Sequence, residues 1–98
     1  MKTFIQSVNF NADSELLEFC QRKLDKLDHF FDKIVEGEVF LRVENVSDKE
    51  NKFAEVKLNI PGKEIMVKKK AASFKAAIDQ TVETLGRQLK KHKEKMRT

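Results

Sequence analysis

EVFLRVENVSDKENKFAEVKLNIPGKEIMVKKK, residues 38–70, contains three segments in which apolar and polar side chains alternate, with two turn signals between them. A period of two is typical of strands that bury one face. The pattern predicts strands over residues 38–46 and 54–60 and a third that ends near Lys70. The polar stretch 47–51 forms the first turn, and Pro61-Gly62 fits the central positions of a type II turn.

Two segments of helical periodicity lie on either side of this region, and residues 3–8 before the first of them are β-branched and apolar enough for a strand. Asp13 is the expected N-cap of helix one, which begins near Ser14, and Ser73 is the expected N-cap of helix two. The stripe of helix one comprises Leu16, Cys20, Leu24, Leu27, Phe31 and Ile34, widened by Leu17, Phe19 and Phe30. The stripe of helix two comprises Phe74, Ile78, Val82, Leu85, Leu89, His92 and Met96. Gly37 is expected in the connection that closes helix one.

The order of these elements, β-α-β-β-β-α, indicates an α+β fold rather than alternating βα units. We predict a two-layer sandwich in which two helices pack on one face of a four-stranded, largely antiparallel sheet. The long repeat of helix two also fits a coiled-coil seam. Small residues beside it, Ala77, Thr81 and Gly86, favour packing on a sheet and on helix one instead.

Length and composition exclude several classes of protein. A chain of 98 residues and 11.4 kDa is expected to form one domain over residues 1–98. No apolar run approaches the roughly 18 residues of a membrane span, and the N-terminus lacks the features of a signal peptide. Cys20 is the only cysteine, and His29 and His92 are the only histidines, so neither a disulfide nor a zinc site is expected. No set of residues suggests catalysis, so we predict a cytoplasmic, non-enzymatic protein without cofactor or metal.

Charge is distributed unevenly along the chain. Residues 1–60 carry nine basic and twelve acidic side chains, whereas residues 61–98 carry eleven and four. On helix two, Arg87, Lys91 and Lys95 lie four apart, Lys90, Lys93 and Arg97 follow on an adjoining strip, and Glu94 interrupts them. A solvated helix face is one explanation of such a run. The other explanation, which we favour, is a binding site for a polyanion that would neutralise these crowded like charges.

A second basic cluster, Lys68, Lys69 and Lys70, is expected at the end of the last strand, where a bound polyanion would touch both clusters. The chain has no Trp or Tyr, and most of its eight phenylalanines lie in apolar patterns. Stacking of unpaired bases on exposed rings is therefore not expected. Recognition of the backbone and shape of structured RNA fits better.

The chain resembles the short form of the bacterial ribosome hibernation promoting factors, also described as ribosome-associated inhibitors or sigma-54 modulation proteins. The resemblance covers essentially the whole chain and is strongest in KLDHFFDKI (26–34), AAID (76–79) and RQLKKHK (87–93). It implies a fold similar to a double-stranded-RNA-binding domain with an added strand. It also implies that Leu27, Phe31, Ile78, Leu85 and Leu89 are core residues. The basic positions that it implies to face ribosomal RNA are Lys23, Lys26, Arg87, Lys90, Lys91 and Lys93, together with Lys33.

The partner implied by the resemblance is the small ribosomal subunit, through 16S ribosomal RNA and neighbouring ribosomal proteins. Binding there, between head and body, would compete with messenger RNA and with transfer RNA in the A and P sites, inhibit translation and preserve idle ribosomes. We expect no membrane partner, a monomer when free, and no C-terminal dimerisation domain of the kind that long-form relatives carry. Residues 72–75, ASFK, depart from the acidic residue and Met-Tyr pair of many relatives.

Two alternatives remain open on sequence grounds. The first is a free-standing binder of structured RNA, with comparable affinity for naked RNA duplexes. The second is a regulator of transcription that acts through a protein partner such as a sigma factor. The two differ in whether RNase disrupts the complex.

Overall fold

The computed structural model describes residues 1–44 and 49–96, and for Met96 the backbone only. The elements are β1 (Lys2–Val8), α1 (Ser14–Phe30), β2 (Glu36–Val43), β3 (Lys52–Ile60), β4 (Lys63–Ala71) and α2 (Phe74–Met96). This is the predicted β-α-β-β-β-α order. The turn between β3 and β4 has the positive φ of 77° at Gly62 that a type II turn requires.

The four strands form one sheet in the order β1-β2-β3-β4. The first pair is parallel, because α1 carries the chain back along the sheet, and the other two pairs are antiparallel. Alternate residues of β2, β3 and β4 are buried beneath the helices, as the period of two predicts. The α+β sandwich with its four-stranded sheet is confirmed.

Both helices begin at the predicted caps and run in the same direction. The Asp13 side chain accepts the Leu16 N–H at 2.8 Å, and the Ser73 hydroxyl accepts the Ala76 N–H at 3.1 Å. The contacts between the helices join their N-terminal ends to each other and their C-terminal ends to each other. The first turns are joined by Glu15 and Lys75 at 2.9 Å, and the Phe31 ring that follows α1 meets the His92 ring edge-on at 5.9 Å.

The apolar stripe of α2 packs against other elements of this chain and does not form a coiled-coil seam. Ile78, Leu85 and Leu89 are buried, and α2 packs along β3, β4 and α1. Thr81 is fully buried and donates its hydroxyl to the Ala77 carbonyl at 2.8 Å, so this polar group is satisfied inside the core. All five residues that the resemblance implied to be structural are buried, which confirms that assignment.

Four details of the sequence analysis were wrong. Helix one ends at Phe30, where the Phe31 N–H makes the last helical bond, to the Leu27 carbonyl. Phe31 is buried in an extended conformation, and Ile34 is buried just after the turn at residues 32–33. Leu17 and Phe30 are exposed and do not widen the stripe. Gly37 lies inside β2, where a Cβ would meet Met1 Sδ at 2.8 Å. The second strand begins at Glu36 and ends at Val43, so its predicted extension includes Glu44, which is not in a strand.

Several predictions fall on parts of the chain that the structure does not describe. They are the end of the second strand at Val46, part of the 47–51 turn, the Met96 side chain and Arg97. Among the described residues, no helix is both long and apolar enough to span a bilayer.

Candidate nucleic-acid interface

Exposed cations gather where the C-terminal halves of the two helices lie side by side. We call Lys26, Arg87, Lys90, Lys91 and Lys93 the helix-end patch; all five side chains are exposed. The parallel packing of the helices produces this arrangement, since it brings the last turn of α1 against the last turns of α2. The Lys93 ammonium lies 5.5 Å from the centre of the Phe30 ring, which ties the two helices together at this end.

The patch has two strips on α2. Gly86 lies over α1, where its Cβ would be 4.0 Å from the Leu27 side chain, so Lys90 and Lys93, four and seven residues later, lie on the side toward α1. Arg87 and Lys91 form the outer strip. Arg87 is held by Glu83 at 3.5 Å, a pair in which both side chains are more than 60% exposed and which solvent screens. Among the described residues, Lys26, Lys90 and Lys91 make no ion pair.

Two further predicted cations border the patch. Lys95 is exposed one turn beyond Lys91, and Lys33 is exposed just after α1. Cations in the last turns of a helix interact favourably with its dipole. They also repel one another, and Glu94 offsets only part of that repulsion. The rigid support and the unbalanced charge both favour a polyanionic ligand.

Lys23, which was predicted to face RNA, is paired within the molecule. Its ammonium pairs with the Asp79 carboxylate of α2 at 2.8 Å, and its side chain is only 24% exposed. It also lies 5.3 Å from the centre of the Phe19 ring. Lys23 therefore joins the two helices, and this geometry gives no support to a primary contact with RNA.

Lys68, Lys69 and Lys70 do not share one face of β4 and lie at the opposite end of α2 from the helix-end patch, and contact of one polyanion with both clusters stays a prediction. Lys68 and Lys70 lie on the open face of the sheet, whereas Lys69 shares the helix side with Val67 and Ala71. β4 ends at the first turn of α2. Sixteen residues of helix, about 24 Å at 1.5 Å per residue, separate that turn from Lys90.

The open face of the sheet carries aromatic side chains that sequence analysis missed. The structure describes all eight phenylalanines, and among them only Phe31 is buried. Phe4 is 53% exposed, and Phe40 and Phe53 are half-buried on the face away from the helices. The alternation of apolar and polar residues along the strand could have placed Phe40 on the open face, because it falls between the buried positions Val39 and Leu41. Phe31 lies in the core and Phe10, Phe19 and Phe74 pack against it, whereas Phe4, Phe40 and Phe53 lie on the open face of the sheet.

The titratable groups give no support to catalysis or metal binding. Cys20 is fully buried in the core, and burial raises the pKa of its thiol to about 11, so it stays protonated at neutral pH. Residues 1–44 and 49–96 contain no group of three or more His, Cys, Asp or Glu side chains that could hold a metal ion.

Comparison with known proteins identifies relatives over the whole chain. Residues 4–97 match the family model described as sigma 54 modulation protein / S30EA ribosomal protein. The chain is 34% identical over 98 residues to a ribosome hibernation promoting factor of Pseudomonas putida, covering 100% of this chain and 92% of the relative. It is 34% identical over 97 residues to the protein of that name from Escherichia coli K12, covering 99% and 98%. The N-terminal domain of Thermus thermophilus protein Y superposes with a TM-score of 0.82 at 26% identity, over 94% of this chain and 99% of that one.

Proposed function

This chain belongs to the family of sigma 54 modulation proteins and S30EA ribosomal proteins, and we propose that it is a ribosome hibernation factor that binds the small ribosomal subunit. Relatives that match it over nearly their whole length carry the name ribosome hibernation promoting factor. In this proposal the protein acts by occupying a site on the ribosome rather than by catalysis, as the names of its relatives suggest.

The helix-end patch is the observation that carries this proposal. Five exposed cations on two packed helices present a fixed array of charge, and each phosphate that they neutralise releases counterions from the RNA. Lysine and arginine contacts to phosphates position a protein on folded RNA without reading its sequence. A ribosomal RNA surface offers such phosphates at high density.

The proposed binding site is the channel between head and body of the small subunit, where messenger RNA and the A- and P-site transfer RNAs bind. A protein held there by 16S ribosomal RNA and neighbouring ribosomal proteins competes with both ligands. Translation stops, and the idle ribosome is preserved. Lys26 and the α2 cations contact the RNA, and Lys33 and Lys95 extend that contact.

Charge reversal tests the face. The variant Arg87→Glu, Lys90→Glu, Lys91→Glu is expected to lose binding to purified small subunits in co-sedimentation while keeping its far-UV circular dichroism. Exposed substitutions usually change stability by less than about 0.5 kcal/mol each. A control, Lys49→Glu with Lys75→Gln, changes exposed charges at the other end of the molecule without setting a second carboxylate against Glu15, and should bind. Unchanged binding by the triple variant would contradict the proposal.

Two other results would favour the alternatives. Equal affinity for naked RNA duplexes and for subunits would indicate a general binder of structured RNA. Recovery of RNA polymerase or a sigma factor in a complex that RNase leaves intact would indicate a regulator of transcription.

A further inference from the structure

The face of the sheet opposite the helices has a row of aromatic and basic side chains near one end. The strand register places Val8, Arg42, Phe53 and Lys70 side by side across the four strands. The next row on the same face holds Gln6, Phe40, Glu55 and Lys68. This surface lies away from the helix-end patch, and the proposed function leaves it unused.

Phe40 stands between two depressions on this face. One, of about 210 Å³, is lined by Val8, Phe40, Arg42, Phe53, Glu55 and Lys68, and Phe4, Gln6 and Glu38 line the other together with Phe40. The first is smaller than the roughly 300–1,000 Å³ clefts that hold drug-sized ligands. The first depression therefore suits one planar ring set against Phe40, whereas the second, of about 410 Å³, falls within that range.

Charge on the open face changes sign along the strands. The two rows around Phe40 and Phe53 contain Arg42, Lys68 and Lys70 against Glu55, and Glu44, which pairs with Arg42 at 2.9 Å, lies just beyond them, so three cations face two carboxylates at this end. Toward the β3–β4 turn the face carries three carboxylates, Glu36, Glu38 and Glu64, against Lys2 and Lys57. A negatively charged chain is therefore attracted to the end that also holds the aromatic rings.

The Arg42 guanidinium in this row has one N–H donor without an acceptor among the described residues. The Arg42 guanidinium lies 5.4 Å from the centre of the Phe53 ring, and its Nη2 donates to Glu44 at 2.9 Å. Its Nε is buried and has no acceptor among the described residues. A ligand acceptor that drew the guanidinium outward would supply the missing hydrogen bond, whereas a purely apolar ligand would not.

We propose that this face binds an unpaired nucleotide of an RNA strand, with the base stacked on Phe40 and the adjoining phosphates against Arg42 and Lys68. Every base has a π-face, so stacking on an aromatic ring beside cations is the usual means of holding single strands. An acidic peptide would use the cations but has no need of the ring. The inference rests on the proposed function only in taking RNA as the ligand class.

The test uses the full chain, free in solution, and two probes of equal charge. Hexauridylate and a hexameric ribose-phosphate strand without bases are titrated into isotopically labelled protein, and backbone amide shifts are followed by NMR. We expect hexauridylate to shift amides of β2 and β3 around Phe40 and Phe53, with the abasic strand at least tenfold weaker there. Phe40→Leu, which keeps apolar volume without the ring, should weaken hexauridylate binding at the sheet face about tenfold or more, while the matched Phe30→Leu, an exposed ring on the helix side, should leave the shifts of β2 and β3 unchanged.

Three results would overturn the proposal. Equal binding of the abasic strand at the sheet face would show that only charge is recognised. Shifts confined to the C-terminal halves of α1 and α2 would show that RNA uses the helix-end patch alone. Stronger binding of hexaglutamate than of hexauridylate would assign the face to an acidic protein segment. Loss of subunit binding in the charge-reversal variant and loss of base binding in Phe40→Leu are separate readouts, so either proposal can fail without the other.

Discussion

The salt dependence of subunit binding should fall by a definite amount when Lys90→Gln and Lys91→Gln remove two charges from the helix-end patch. Each phosphate that a cation neutralises contributes about −0.9 to the slope of log K against log salt. Five contacts from the patch give a slope of about −4.5, which is roughly a 500-fold loss of affinity between about 50 and 200 mM salt. Three contacts give about −2.7, or roughly a 40-fold loss.

Binding of a fluorescently labelled chain to small subunits across a salt series measures these slopes. The matched control, Lys49→Gln with Lys75→Gln, also removes two exposed charges, one of them at the opposite end of the same helix, and should keep the original slope. A slope that is the same for the parent and the Lys90/Lys91 variant would refute the reasoning, because those two lysines would then contact no phosphate.

Three predictions concern the fold. Leu24→Ala removes a core side chain that is 1% exposed and should cost about 2–5 kcal/mol in urea unfolding; a loss under about 0.5 kcal/mol would contradict its place in the core. Gly62→Ala meets no atom within 4 Å but places a Cβ at φ 77°, so it should cost about 1–2 kcal/mol, and no cost would contradict the turn. Burial raises the pKa of Cys20 from 9.0 to about 11, so at pH 8 the native thiol should react roughly 100-fold more slowly with a disulfide reagent than in urea. The unfolded thiol loses its proton first, so this group should lower stability as pH rises from 9 to 11; a native thiol as reactive as the unfolded one would contradict both.

The sequence predicts the architecture well because alternation and turn chemistry are local signals. Pro61-Gly62 and the buried positions of β3 follow from them directly. The end of helix one does not, because Phe31 and Ile34 keep helical spacing while the backbone has already left the helix. Gly37 was misplaced for the same reason, since only tertiary packing shows that a Cβ there would press on the Met1 and Leu58 side chains.

The candidate site was only partly predictable. The cations of α2 follow from helical spacing alone, and their exposure is confirmed. The role of Lys23 depends on a partner 56 positions later in the chain, Asp79, and no local pattern reveals such a pair. The period of two already places Lys68 and Lys70 on the opposite face of β4 from Lys69. Three adjacent lysines were nevertheless interpreted as one cluster.

Competition with transfer RNA tests the central claim most directly. Purified protein is sedimented with small subunits at low salt, alone and with transfer RNA and messenger RNA bound beforehand. The account predicts that the protein co-sediments with bare subunits and is excluded from those whose A and P sites are filled. Equal co-sedimentation with empty and filled subunits, or none with either, would contradict binding in the channel.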